Sequence, residues 1–236
     1  MNKKSFIAAA LVASSFALGA KADFIGYTDW TTSSAAGVNA TAGGTLSLSS
    51  GTVNVSYNGE FAFTQLNNSG INYWTEPNSL SKPYTGNAIV GNTPFTTDII
   101  ALSEQDPREV NTLSFSQSVH NPIMLINSLG AGNTVSYNFN QPFILLSAGQ
   151  GYWGGNSTTL TETGNSLNGT EGAGAIEFLG DVDSISWTTT GGEYWNGFTI
   201  GAETNQPSRG VPDGGASLGL LGMSVTCLLA VRRKLQ

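Results

Sequence analysis

Two pairs of adjacent aromatic residues, each set among glycines, are the part of this sequence best suited to ligand binding. Tyr152 and Trp153 lie in the run GYWGG, and Tyr194 and Trp195 lie in GGEYWNG. Sugars present apolar C–H faces that stack on tyrosine and tryptophan rings, and neighbouring polar groups bond to sugar hydroxyls. The four aromatic residues are therefore candidates for glycan binding. The alternative is that one ring of each pair packs in a core.

A pair of aspartates is the candidate metal site, and calcium is the candidate cofactor. Asp181 and Asp183 are two residues apart, so in an extended segment their carboxylates lie on one side. Calcium takes about six to eight oxygen ligands, but the sequence has no EF-hand loop, and a solvated acidic turn is the alternative. One histidine, His120, is too little for a zinc or iron site. Further carboxylates that could converge on the pair are Asp23, Asp29, Asp98, Glu171 and Glu177.

We find no constellation for nucleophilic catalysis and expect no enzyme activity. Residues 23–210 hold no serine in a G-x-S-x-G elbow, and the single cysteine, Cys227, lies in an apolar C-terminal run. The enzymatic alternative is a secreted glycan-active hydrolase or lyase, in which two carboxylates face each other across the substrate. The glutamates available for such a pair are Glu162, Glu171, Glu177 and Glu193.

The negative charge of the chain is concentrated in residues 23–210, which we call the central part. Residues 23–210 hold three basic and fifteen acidic residues, so their formal charge is −12, compared with −7 for all 236 residues. A surface of this charge repels phosphate backbones, which excludes nucleic acid as a partner. Because this part has no cysteine, its stability comes from packing or bound ions rather than from disulfides.

Short runs with alternating apolar residues recur through the central part and predict β-strands. Val53, Val55 and Tyr57 share one face of such a run, and no segment repeats at the helical period of about 3.6 residues. We therefore expect an all-β fold over residues 23–202, an antiparallel β-sandwich of jelly-roll type.

Glycine, proline and asparagine mark the expected turns and loops. Asn58-Gly59 predicts a two-residue hairpin turn between two strands. The stretch 67–97 contains three prolines and predicts a long loop, with at most one short strand at 71–74. Long loops on a sandwich often bind ligands. Residues 203–210 predict a polar linker.

The first 22 residues have the order of parts of a secretory signal peptide. Lys3 and Lys4 precede an apolar stretch that is too short to span a membrane, and Ala20-Lys21-Ala22 is a small-x-small cleavage site. We expect cleavage after Ala22, so that Asp23 becomes the N-terminus of an exported protein.

Residues 211–236 predict a sorting signal with a transmembrane helix. The apolar run 216–231 would form a helix of roughly 24 Å at about 1.5 Å per residue, slightly shorter than a hydrocarbon core of about 30 Å. The basic residues after the run should stay in the cytoplasm. The motif before the run is Val211, Pro212, Asp213, Gly214 and Gly215, and the basic stop-transfer cluster after it is Arg232, Arg233 and Lys234.

This order of VPDGG, apolar run and RRK resembles the PEP-CTERM and VPDSG-CTERM sorting signals, with Gly214 where the VPDSG form has serine. Exosortases recognise these signals in bacteria that make exopolysaccharide. The resemblance implies transient anchoring in the inner membrane, processing by an exosortase-like membrane protease, and a final location at the cell surface, in the outer membrane or outside the cell. It also implies association with exopolysaccharide and biofilm matrix.

The central part carries a second resemblance, over about residues 111–201. The runs NTLSFSQSVHNPIMLINSLG and SISWTTTGGEYWNGFTIG are similar to exported β-sandwich domains that are common among PEP-CTERM proteins. This resemblance implies the fold and the export of the chain, and it implies no chemistry.

Overall fold

The computed structural model describes residues 22–103 and 110–205, and every regular element in these two ranges is a β-strand. Burial alternates along strand β4, where Val53, Val55 and Tyr57 are buried between exposed polar neighbours. The prediction of an all-β fold is confirmed. The strands are β1 (Ile25–Tyr27), β2 (Asp29–Ser33), β3 (Gly37–Leu48), β4 (Gly51–Phe61), β5 (Phe63–Gln65), β6 (Ile99–Leu102), β7 (Val110–His120), β8 (Ile123–Leu129), β9 (Val135–Phe139), β10 (Ile144–Gly149), β11 (Leu160–Thr163), β12 (Ser166–Gly169), β13 (Gly172–Glu177), β14 (Asp181–Thr190) and β15 (Asn196–Glu203).

The strands form two antiparallel sheets. The first has the order β10-β13-β8-β15-β6-β5, with β1 also paired to β15, and the second has the order β11-β12-β9-β14-β7-β4-β3-β2. Within them, β6-β15-β8-β13 and β7-β14-β9-β12 have the order that two Greek keys produce in a jelly roll. The remaining strands extend the edges of these two four-stranded units.

Side chains from both sheets form one hydrophobic core. Tyr57 and Trp187 belong to the second sheet, and their rings each lie 5.4 Å from the ring of Phe198 in the first sheet. All three are buried, together with 27 further apolar residues of the same cluster. The two sheets are therefore the layers of a sandwich that shares its interior.

A long loop covers the outer face of the first sheet. Trp74, Tyr84 and Val90 of this loop are buried, and they form a second apolar cluster with Ile123 and Leu125 of β8. The first sheet is thus covered on both faces, which explains why every residue of β8 and β13 is buried. The loop predicted at 67–97 is confirmed by this arrangement.

No strand forms at 71–74, which agrees with the prediction of at most one short strand there. The Trp74 N–H donates to the Asn72 side chain at 2.9 Å, and the Trp74 indole N–H donates to the Asp98 carbonyl at 3.1 Å. An asparagine side chain that bonds to the backbone two residues later forms an Asx turn, which competes with a sheet ladder. The alternating residues at 71–74 therefore belong to a turn in which Trp74 is buried.

The hairpin turn predicted at Asn58-Gly59 is wrong. Both residues lie inside β4 and pair with Thr41 and Ala40 of β3, while the turn between the two strands falls at Ser49-Ser50. Gly59 serves close packing instead, since a Cβ atom there would lie 2.3 Å from the Asn111 side-chain oxygen.

Strand β15 runs through the middle of the first sheet and joins two ends of the molecule. Its first residue, Asn196, follows Trp195, and its last residue, Glu203, pairs with Ile25 of β1. Eight residues at about 3.3 Å each place these points roughly 26 Å apart. We call the end near Asn196 the aromatic end and the end near Glu203 the carboxylate end.

Both targeting segments fall outside the described residues. These segments are residues 1–21 of the expected signal peptide and the whole expected sorting signal, 211–236. Within residues 22–103 and 110–205, no helix is long and apolar enough to cross a membrane.

Candidate functional site

Two tight loops present the aromatic pairs that the sequence singled out. Tyr152 and Trp153 lie at the tip of a loop closed by reciprocal backbone bonds, in which the Gly151 N–H donates to the Gly154 carbonyl at 2.7 Å and the Gly154 N–H donates back at 3.4 Å. Gly154 has a φ of +133°, a conformation that other residues rarely adopt. The glycines of GYWGG therefore hold the two rings outward.

The second pair follows Glu193 in the loop between β14 and β15. One oxygen of the Glu193 carboxylate accepts hydrogen bonds from the Gly130 N–H at 2.7 Å and from the Asn196 side-chain amide at 3.2 Å. These bonds tie the loop to the end of β8 and to the start of β15. They fix the positions of Tyr194 and Trp195, which lie between the two anchor points.

Five rings converge at the aromatic end. The Trp153 and Trp195 ring centroids are 4.4 Å apart, and the Tyr73 centroid lies 4.6 Å from that of Trp153 and 5.4 Å from that of Trp195. Tyr152 and Phe63 complete the group, at 4.5 Å from Trp153 and 5.1 Å from Trp195 respectively. We call these five residues the aromatic cluster.

The exposure of these rings decides between a core role and a binding role. Tyr152 is 47% exposed, Trp153 is 43% exposed and Tyr194 is 88% exposed, whereas Trp195 is half-buried. The packing alternative therefore applies in part to Trp195, which contacts the second apolar cluster. The other three rings keep faces that a ligand can reach.

The sequence patterns missed two members of the aromatic cluster. Phe63 lies on the short edge strand β5, and Tyr73 lies in the long loop. Tyr73 is buried and supports the exposed rings of Tyr152 and Trp153 from beneath. No signal in the sequence links these residues to GYWGG, because the loop brings them together across about 80 residues of chain.

A groove of about 600 Å³ adjoins the aromatic cluster. Phe63 and Trp195 belong to both, and the exposed Tyr194 lies on the groove wall. Ser103 supplies a polar group to the lining, and its hydroxyl donates to the buried Glu60 carboxylate at 2.5 Å. The remaining lining residues are Ala36, Gly37, Phe61 and Ala62.

Strained backbone lies beside the aromatic cluster. Ser128 and Glu171 have φ values of +61° and +79°, which residues with side chains seldom adopt. The Ser128 hydroxyl donates to the Glu171 carboxylate, and the Glu171 N–H donates to the Leu129 carbonyl at 2.9 Å. Such strain persists only where surrounding contacts hold it, and it is concentrated at functional sites.

A carboxylate-lined hollow of about 450 Å³ occupies the opposite end of the sandwich. Asp23, His120, Glu177 and Glu203 line it, together with Asn121. Burial raises the pKa of the Glu177 carboxyl, and the pKa of Glu203 is raised by burial and then by the charge of Asp23. The two ends of the molecule therefore differ in their chemistry.

The candidate metal pair lies near this hollow, on β14. Asp181 accepts a hydrogen bond from the His120 ring at 3.0 Å, and Asp183 accepts one from the Ser118 hydroxyl. Both aspartates are exposed. In residues 22–103 and 110–205, no three His, Cys, Asp or Glu side chains gather as a metal site would require. The further carboxylates expected to converge on the pair therefore do not form such a group with it.

The four glutamates named for carboxylate catalysis are dispersed. Glu177 lies in the carboxylate end, and Glu162 on β11 accepts from the Leu145 N–H at 2.8 Å. Glu171 and Glu193 alone share a region, because both bond to the segment 128–130 beside the aromatic cluster.

Comparison with known families adds information on the tail. A family model described as the VPDSG-CTERM motif matches residues 210–235. The chain carries a VPDSG-CTERM motif. The motif implies an exported, cell-surface protein that an exosortase-like membrane protease processes. The resemblance of Val211–Gly215 and the following run to this signal is thereby confirmed. No curated protein and no solved structure matches the chain.

Proposed function

We propose that the protein is a non-enzymatic component of the cell surface or extracellular matrix that binds exopolysaccharide through the aromatic cluster. The observation that carries this proposal is the convergence of five rings, from three separate loops and one edge strand, beside an open groove. A soluble domain rarely leaves such a contiguous apolar surface open unless a ligand covers it.

The physical basis of binding is ring stacking with polar contacts at the rim. The exposed faces of Tyr152, Trp153 and Tyr194 offer stacking surfaces for the apolar faces of sugars. Ser103 and the Tyr194 hydroxyl supply groups that bond to sugar hydroxyls along the groove. Because Tyr73 and Glu193 hold the loops from behind, little conformational entropy is lost when a ligand binds.

The targeting segments bring this domain to the polysaccharide. A signal peptide of residues 1–22 exports the chain, and the run 216–231 holds it in the inner membrane with the basic residues 232–234 on the cytoplasmic side. Pro212 has a fixed φ and no N–H, and such a residue is disfavoured inside a helix, so the segment 211–215 should stay outside the membrane helix and open to a protease. Cleavage then releases the domain to the outer surface or the biofilm matrix.

A glycan array probed with residues 23–205 tests the binding proposal. We expect retention on at least one polysaccharide class, and loss of that signal in Trp153→Ala, whose ring is 43% exposed and does not belong to the core. Absence of any retained glycan would remove the proposal. Because Glu171 and Glu193 lie beside the aromatic cluster, the bound glycan should also be assayed for new reducing ends. New reducing ends would favour the alternative of a glycan-active enzyme.

Intact-mass measurement of the protein recovered outside the cell tests the processing. We expect a mass that lacks residues 1–22 and the apolar run, and we expect replacement of Val211, Pro212 and Asp213 by alanine to leave precursor in the membrane. A surface form that still carries residues 216–236 would show that the tail is only an anchor.

A further inference from the structure

We infer that the aromatic cluster takes a single, uncharged polysaccharide chain, rather than an anionic polysaccharide or the flat face of a crystalline one. This inference rests on the proposed function and specifies the class of its ligand. Two independent features of the aromatic end carry it, namely the charge around the rings and the angles between them.

The charge around the aromatic cluster is negative. Glu171 lies against Gly154, next to Trp153, and Glu193 lies two residues before Trp195. Glu60 lies behind the groove wall at Ser103. Uronate, sulfate and phosphate groups of an anionic polysaccharide would approach these carboxylates, and the unfavourable energy grows where the ligand excludes water. A neutral chain meets no such penalty.

The described part of the chain offers almost no cation to offset that repulsion. Lys82 is the one lysine or arginine in residues 22–103 and 110–205. It lines a different hollow, of about 430 Å³, together with Gln150 and Gly155. The aromatic groove itself is lined by no charged side chain among the described residues. Recognition of acidic sugars normally uses arginine or lysine at hydrogen-bonding distance.

The angles between the accessible rings disfavour a flat ligand. The Trp153 and Trp195 planes meet at 89°, and the Tyr152 and Trp153 planes meet at 62°. A crystalline polysaccharide presents a plane of many chains, which requires several coplanar rings for simultaneous stacking. Rings at steep angles instead contact successive faces of one flexible chain that turns between them.

Affinity electrophoresis of the full-length chain tests the charge of the ligand. The chain is kept in a polyoxyethylene detergent, because sugar-based detergents would compete for the site. The gels contain dextran, pullulan, xylan, galactomannan or hydroxyethyl cellulose, each paired with its carboxymethyl derivative. We expect at least one neutral polymer to retard the protein about tenfold more strongly than its anionic partner at low salt, and this gap to narrow in about 0.5 M NaCl.

The outcomes separate the inference from the function on which it rests. Equal or stronger retardation by the carboxymethyl polymers overturns the neutral-chain inference while exopolysaccharide binding stands. No retardation by any polymer overturns both. Lys82→Gln should leave the retardation by neutral polymers unchanged, and a loss in that variant would show that Lys82 contacts the ligand and that the site is not the aromatic cluster.

A pull-down tests the single-chain part of the inference. Microcrystalline cellulose and soluble hydroxyethyl cellulose share a backbone, and crystalline and soluble mannan form a second pair. We expect the protein to bind the soluble member of each pair at least about tenfold more tightly than the crystalline member. Soluble polymer should therefore displace any protein that is bound to the crystals. Preferential binding to the crystals would overturn this part.

Discussion

The aromatic end and the carboxylate end of the sandwich are built on the same strands but use opposite chemistry. At one end β15 begins beside Trp195 and the cluster of rings, and at the other it ends at Glu203 beside Asp23 and Glu177. Covering an exposed aromatic ring removes water from it at little cost, whereas covering an ionised carboxylate costs solvation energy. The aromatic end is therefore better suited than the carboxylate end to bind a neutral ligand.

The largest effect we expect comes from removing exposed rings at one end at a time. Tyr152→Ala with Trp153→Ala should weaken glycan binding by at least about 30-fold, or roughly 2 kcal/mol, because buried aromatic anchors dominate binding energy. The matched control is Phe24→Ala with Phe95→Ala, an exposed stacked pair at 5.7 Å on the carboxylate end. Calorimetric titration measures both.

This control shows whether glycan binding depends on the aromatic end or on any exposed aromatic pair. The Phe24 carbonyl accepts a hydrogen bond from the Thr204 N–H at 3.0 Å, which places this pair next to the end of β15. Equal losses in the two double variants would mean that any exposed aromatic pair on the surface binds the glycan.

The next largest effect should come from replacing two glycines of β15 by alanine, which lowers the free energy of unfolding. A Cβ atom at Gly201 would lie 2.4 Å from the Gly26 carbonyl of β1, which is backbone and cannot move aside. A Cβ atom at Gly197 would meet the flexible end of Ile99 at 2.3 Å. Gly201→Ala should therefore cost about 1.5–2 kcal/mol and Gly197→Ala about 1 kcal/mol. Urea unfolding measures both, and a reversed order would show that β1 yields more easily than the core.

Acidity should affect the stability of the domain but leave ligand binding unchanged. Burial raises the pKa of Asp98 to about 6, from an ordinary value of 3.8, and raises that of Glu177 as well. The folded state therefore binds protons more tightly than the unfolded chain, so that stability falls as pH rises from about 4 to about 6. Thermal melts across this range measure the trend, and Glu177→Gln should reduce its slope.

Glycan affinity should stay constant over the same pH range. Ring stacking involves no proton that titrates between pH 4 and pH 6, since the ordinary pKa of tyrosine is about 10 and that of Tyr73 is raised further by burial. An affinity that followed the melting curve would show that carboxylates at the aromatic end contact the ligand.

Calcium should have the smallest effect. Asp181 and Asp183 already accept hydrogen bonds from His120 and Ser118, and among the described residues no group of three His, Cys, Asp or Glu side chains includes them. Millimolar calcium should raise the melting temperature by less than about 2 °C, through screening of the acidic surface. A larger shift that a chelator reverses would restore calcium as a structural ion.

The sequence predicted the strands better than their arrangement. Alternation located β4 from Val53 to Tyr57, because burial on one face imposes a period of two. It placed a turn at Asn58-Gly59 where the chain continues straight, since a glycine required by the Asn111 side chain looks the same as a turn glycine. Local residue type does not distinguish these two causes.

The candidate site was predicted in part for a similar reason. The glycine context of Tyr152 and Trp153 marked them as candidates for a binding loop, with core packing of one ring as the alternative, and the structure leaves both rings exposed. Phe63 and Tyr73 join them only because the long loop folds over the first sheet, through contacts between distant parts of the chain. Such contacts leave no periodic pattern in the sequence.

The course of β15 also has a mechanical consequence. Tyr194, on the groove wall, lies two residues before the start of this strand, and the last residue of the strand, Glu203, leads toward the VPDSG-CTERM motif. If the proposed ligand pulls on Tyr194 while the chain is attached through residues beyond Glu203, tension passes from one point to the other along a single covalent backbone. The ladders of hydrogen bonds on either side of β15 carry little of that load, so a pull on the polymer need not unravel the domain.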